Sequence, residues 1–230
     1  MAIAFNQLWG QFIGTTTATS VSKTPGAAGN TLVIFGQNES GNGLTITFSG
    51  SASSFTKLGA NADDTNADTN AQGYSLALVA GAQTASVGGA SGNSMEGEAL
   101  EYSGVDSVSD GAFNNRIGPG TGVGAILGSA VTVPVGSVLV AVCKDVSAIG
   151  ADTIVAAGGG TLRDHNGGTN VHYAIVEWAG AGGSITPSFT DATSGGDNFI
   201  VHQMVLNPPA GGAGSLAYLY WKPTGLMFVD

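Results

Sequence analysis

One order of β-type runs occurs twice along the chain. Thr31-Leu-Val-Ile-Phe35, Gly73-Tyr-Ser-Leu-Ala-Leu-Val79 with Ala80-Gly81, and Glu98-Ala-Leu-Glu-Tyr102 are answered by a second set. That set is Ser137-Val-Leu-Val-Ala-Val142, Val171-His-Tyr-Ala-Ile-Val-Glu-Trp178 with Ala179-Gly180, and Phe199-Ile-Val-His-Gln-Met-Val205. Tyr74 and Tyr173 take the same place before an apolar run that ends at Ala-Gly. Self-similarity at an offset of roughly 100 residues is the mark of a duplicated unit, so the sequence reads as a pseudo-duplicated β fold.

Short runs of period two, bounded by Gly, Asn, Ser or Pro, recur along the chain, and no stretch shows the i, i+3, i+4 spacing of a helix. The expected fold is all-β: a two-sheet, jelly-roll-like β-sandwich over residues 1–206, built from two pseudo-repeated halves. Ser107 to Gly128 reads as a Gly-rich connection between the halves. An immunoglobulin-like sandwich is disfavoured by the length and by the absence of a Cys-Trp-Cys pattern. Residues 207–230 differ in texture: the spacer Asn207-Pro-Pro-Ala-Gly-Gly-Ala-Gly-Ser215 leads into an apolar, aromatic C-terminal arm, Leu216 to Asp230, which either returns as an extra strand on its own sandwich or docks on another subunit.

Charge narrows the classes of partner. Six basic residues against sixteen acidic ones give a formal charge of -10, which opposes the phosphate neutralisation that nucleic-acid binding requires. The longest apolar runs, such as Val138 to Cys143, are far too short to span a bilayer, and Met1 to Phe5 lacks the cationic and apolar regions of a signal peptide. The expectation is therefore no nucleic acid, no membrane, and synthesis without a signal peptide. Cys143 is the sole cysteine; it excludes an intrachain disulfide, and its apolar setting reads as a buried thiol.

No catalytic constellation emerges, and the chain is read as a non-enzyme without cofactor. Asp64, Asn66 and Asp68 imitate the first ligands of a calcium loop, but Thr69 stands where the turn glycine is needed and Ser75 where the bidentate Glu belongs. His165, His172 and His202 lack zinc spacing. Asp164 with His165 offers half a triad, yet no Gly-x-Ser-x-Gly elbow supplies a nucleophile. Glu96, Glu98 and Glu101 raise the question of a glycosidase carboxylate pair; alternation puts Glu96 and Glu98 on one strand face and Glu101 on the other, with no second acidic strand opposite. Trp178 reads as core.

Three stretches, Gly29-Asn-Thr-Leu-Val-Ile34, Ala80-Gly-Ala-Gln-Thr-Ala-Ser-Val87 and Ala99-Leu-Glu-Tyr-Ser-Gly-Val105, resemble a β-sandwich module of tailed-bacteriophage virion proteins. The resemblance covers most of residues 16–206 and implies neither cofactor nor catalytic residues. It implies a virion structural protein, foremost a capsid decoration (cement) protein on the outer shell. The partners expected are the major capsid protein and copies of itself, as a homotrimer. The alternative is a tail or fibre-tip protein binding a host glycan. Trp9, Phe12, Tyr218, Tyr220, Trp221, Met227 and Phe228, in the two terminal segments, are the expected partner-binding residues, being of types enriched at interfaces. At about 25 cal/mol per Å², burying the aromatic arm would contribute several kcal/mol per copy before ordering costs.

Overall fold

Why the chain folds into stacked sheets is visible in its third strand. Thr31–Asn38 is buried at every position, so both faces of this strand must be covered. Leu32 and Ile34 enter one apolar cluster and Val33 and Phe35 another. A strand with two dry faces belongs to an inner layer.

The computed structural model describes residues 2–38, 44–63, 69–89, 94–117, 125–145, 154–167, 172–191 and 198–210. Eighteen strands occur among them: β1 (Ala4–Gly14), β2 (Thr17–Thr19), β3 (Thr31–Asn38), β4 (Ile46–Gly50), β5 (Thr56–Asp63), β6 (Thr69–Ser75), β7 (Ala85–Gly89), β8 (Met95–Ser103), β9 (Ser107–Ile117), β10 (Ala125–Leu127), β11 (Val131–Val133), β12 (Val138–Asp145), β13 (Ile154–Ala157), β14 (Thr161–Gly167), β15 (His172–Ala179), β16 (Gly183–Ile185), β17 (Ser188–Asp191) and β18 (Asn198–Asn207). The described part is all-β, in several antiparallel sheets. A large sheet of order β1-β8-β3-β6-β5 and a small one of order β2-β7-β4 come from residues before 104. A second large sheet of order β9-β18-β12-β15-β14, a small one of order β10-β17-β13 and the pair β11-β16 come from the rest.

Three apolar clusters fill the spaces between layers. One joins the first large sheet to its small sheet through Trp9, Leu32, Ile34, Ile46, Val87 and Ala99. Another does the same in the second half through Leu139, Ile154, Val176, Trp178, Phe189 and Val201, with Trp178 and Phe189 edge to face at 5.9 Å. The third lies between the two large sheets, where Val33, Phe35, Leu100 and Tyr102 meet Val142, Ile175, Met204 and Leu206. Here β1 lies against β14, β6 against β18 and β5 against β9. Close approach of the layers depends on small residues: Gly36 and Gly97 face each other across β3 and β8. A Cβ on Gly36 would come within 2.7 Å of Val87 Cγ1, and one on Gly97 would run into the Phe12 ring.

Two expectations are corrected. Ser107 to Ile117 is not part of a connection but an eleven-residue edge strand paired with β18. Its polar and glycine composition suits an edge, and Gly111 is needed there because a Cβ would sit 2.8 Å from the Gln203 carbonyl oxygen. The run Gly73 to Val79 is not a strand throughout: β6 spans Thr69–Ser75 and residues 76–84 form the connection to β7. Tyr74 is therefore next to the last residue of its strand, whereas Tyr173 is the second residue of β15, and the two do not correspond.

Candidate functional site

The two large sheets are tied together by polar side chains, and these are the most chemically specialised groups in the described structure. Alternation along β8 sends Glu96 and Glu98 toward the second half, on the face that carries Leu100 and Tyr102. Lys144 reaches Glu98 from β12 at 2.7 Å, with both side chains at 1% exposure or less. His202 of β18 is 3% exposed on the same interface. Gln72 donates to Asp110 at 2.8 Å. At the other end the Tyr102 hydroxyl donates to Glu177 at 3.1 Å, Arg163 pairs with Glu177, and the Arg163 guanidinium lies 4.7 Å from the centre of the Phe5 ring.

Burial governs the protonation of these groups. Desolvation raises the Glu98 carboxyl, opposed by the charge and hydrogen bond of Lys144. Burial and the Lys144 charge push His202 down to about 3, so it is neutral at physiological pH. An unfolded histidine titrates near 6.5, so from there down to about 3 the unfolded chain binds the extra proton and stability falls with pH, by at most about 1.4 kcal/mol per pH unit from this group. Glu98 acts in the opposite sense, since its raised folded value adds stability as the solution becomes acidic. In His202→Met the loss of stability between pH 6.5 and 4 should shrink, measured as the urea midpoint against pH; an unchanged slope would mean that His202 does not carry the acid sensitivity.

Glu101 faces the other way and forms a second centre. Its two oxygens accept from the side chains of Gln7 (2.5 Å), Trp9 (3.2 Å) and Asn30 (2.5 Å) and from the Gly26 backbone (2.8 Å). Burial alone would raise this carboxyl, but the donors from Asn30, Gln7, Trp9 and Gly26 outweigh it and hold the group below the ordinary range. Gln203 plays a similar part in the second half, donating to the Ser129 carbonyl at 2.7 Å and accepting from the Ser129 amide at 3.1 Å.

Glu96, Glu98 and Glu101 thus sit as alternation requires, two on one face and one on the other. All three are buried, and from the second half the Asp164 charge acts on Glu98. Asp164 does not orient the His165 ring in a triad: one oxygen accepts from the His165 backbone amide at 2.9 Å and the other from the Tyr173 hydroxyl at 2.6 Å. Cys143 is buried. Among the described residues no three His, Cys, Asp or Glu side chains are grouped to hold a metal ion, and no helix is long and apolar enough to cross a membrane.

The expected partner-binding residues divide into two sets. Trp9 and Phe12 are core residues, 2% and 6% exposed, because β1 pairs with β8 along its length and turns them inward. Tyr218, Tyr220, Trp221, Met227 and Phe228 lie outside the described residues, as do Asp64, Asn66 and Asp68. Sequence reasoning missed Lys144 and Gln72. The signal for Lys144 was a lone cation continuing the alternation of Val140 and Val142 at the end of an apolar run. Comparison of the chain with models of protein families, with curated proteins and with solved structures gave no match.

Proposed function

We propose that this chain is a structural protein of a tailed-phage virion, a decoration (cement) protein that binds the outer face of the capsid. It would act as a homotrimer whose C-terminal arms clasp the major capsid protein. The observation that carries the reading is the strand order. We read the order β1-β8-β3-β6, with β2-β7-β4 in the small sheet, as two interlocked Greek keys, a jelly roll in which β5 has joined the large sheet. Replacing β1, β2, β3, β4, β5, β6, β7 and β8 by β9, β10, β12, β13, β14, β15, β17 and β18 reproduces both sheets. On this reading the chain is a tandem pair of jelly rolls, pseudo-repeated about an axis parallel to the strands, and jelly rolls recur in capsid proteins and lectins. The buried and half-buried carboxylates also fit a structural role, since Glu98, Glu101 and Glu177 are each engaged by other side chains of the chain itself.

The test is stoichiometry. Quantitative mass spectrometry of purified particles is expected to give hundreds of copies per virion; a few to a few dozen would place the protein in the tail. Deleting Leu216 to Asp230 is expected to abolish retention on the capsid while leaving the sandwich folded, read as an unchanged β-type circular-dichroism spectrum, and normal retention would remove the clasp. The tail or fibre-tip alternative has one observation in its favour. The strand ends Asn38, Asp63, Met95, Ile117, Asp145, Gly167 and Asn198 share one end of the stack. The segments joined there are rich in Ser, Thr, Asn, Asp and Gly, side chains and backbone suited to a glycan's hydroxyls.

A further inference from the structure

We propose that a cleft at the opposite end of the first half receives the aromatic C-terminal arm of the same chain. This rests on reading the arm as a docking segment and assigns its place before any capsid is met. The cleft, about 350 Å³, lies between the turn after β4 and the connection after β6, and Ala52, Ser54, Ser75, Leu76, Ala77 and Val79 line it. Val79 is 42% exposed at its mouth. Val21, 67% exposed, belongs to the segment that bridges to the same connection through Lys23 and Gln83. The volume is at the lower end of the roughly 300–1,000 Å³ found for ligand pockets, and the lining is small and uncharged. That suits one planar aromatic side chain better than a polymer or an ion.

Chain geometry names the occupant. The strand β6 lies against β18 across the central interface. Ser75, its last residue, lines the cleft, and Asn207, the last residue of β18, is at the same end of the stack. The bond from Tyr102 to Glu177 ties those two ends together, since Tyr102 pairs with Thr31 beside Ser75 and Glu177 lies beside Trp178 and Ala179, which pair toward Val138 and Leu206. Facing sheets are about 10 Å apart. From Ala210 to Trp221 the chain can span up to about 36 Å at 3.3 Å per residue, so Tyr218, Tyr220 and Trp221 can all reach. A short Gly-rich tether gives an effective concentration in the millimolar range, which favours this segment over the same segment from another copy. Clasping a capsid would then begin with release from the cleft.

Two measurements on the full chain test this, independently of any particle. Ala77 is exposed and Cys143 is buried, so Ala77→Cys combined with Lys222→Cys presents one new pair of reactive thiols. Mild oxidation is expected to yield a reducible, internally crosslinked monomer. Disulfide-linked dimers, or no crosslink, would overturn the proposal. Of three tryptophans, Trp9 and Trp178 are buried, so Trp221 is the one whose exposure can change. Ala77→Glu at the mouth is expected to increase acrylamide quenching, raising the accessible share of emission toward about one third, and adding Trp221→Phe should abolish the increase. Equal quenching of the wild type and Ala77→Glu would also overturn it.

Discussion

Replacing Lys144 with methionine is expected to cost ~3–5 kcal/mol of folding stability at neutral pH, because it strands the Glu98 carboxylate in the dry space between the two large sheets. The pair is at 2.7 Å with essentially no solvent exposure on either side, so no water can take the place of the ammonium. Removing both partners, in Lys144→Met with Glu98→Leu, is expected to be near neutral or to stabilise by ~1–4 kcal/mol, since two costly desolvations disappear together. The single variant has a second signature. Without the cation the raised Glu98 carboxyl rises further and takes up a proton on folding, so its stability should recover as the pH falls from 7.5 to 5. Urea unfolding of the wild type, both single variants and the double variant closes the cycle. Equal losses in the single and double variants would show that packing, and not the unpaired charge, decides.

The pair also has a geometric consequence. Apolar side chains between two sheets tolerate several registrations, because burial of area is not directional. Three polar links from one large sheet to the other, Glu98 to Lys144, Gln72 to Asp110 and Tyr102 to Glu177, are met together in only one. They set which strand of the first half lies over which strand of the second, and so place the end of β18 beside the end of β6.

How much of this was legible in the sequence depended on where each strand's side chains go. The strands β3, β8 and β12 declare themselves because their apolar runs are buried on both faces, and β8, from Met95 to Ser103, contains the run from Glu98 to Tyr102. The same logic misplaced β6. Asn70 and Gln72 are buried, but they face the polar part of the central interface, so the apolar pattern passed over Thr69 to Gln72 and ran on past Ser75 into the connection beyond it. The edge strand β9 was hidden for the converse reason: it is covered on one side only and is written in Ser, Asp, Asn and Gly. The central interface could not be read at all, since Glu98 and Lys144 belong to different halves and nothing local couples them. Trp9 and Phe12 suggested an exposed aromatic terminus because the pairing of β1 with β8 joins residues some ninety positions apart.

Glu101→Ala is expected to lower stability by about 3 kcal/mol or more, since up to four buried or half-buried donors lose a charged acceptor at once. The donors come from two places: Gln7 and Trp9 on β1, and Gly26 and Asn30 in the connection from β2 to β3. The carboxylate therefore staples that connection and the edge strand to β8, and its loss should be felt first where the staple holds. Lys23 lies in the connection, so trypsin cleavage after Lys23 under native conditions should accelerate well before global unfolding. Glu101→Gln keeps an acceptor for Asn30 and Gly26 but turns an amide NH₂ toward the donors of Gln7 and Trp9, and should lose about half as much. The pH dependence has a definite sign. The folded carboxyl is held below its ordinary value, so its contribution is complete above the unfolded value near 4.3 and is lost as the pH falls through the lower folded one. Acid should therefore narrow the gap between wild type and Glu101→Ala, the same direction in which Lys144→Met recovers. The two differ in where they respond: Glu101→Ala should open Lys23 to trypsin at pH 7.5, whereas Lys144→Met should leave that site protected and lower only the global midpoint. Trypsin rates and urea midpoints measured on the same preparations separate the two centres, and early cleavage at Lys23 in both variants would mean that the connection is held by the central interface and not by Glu101.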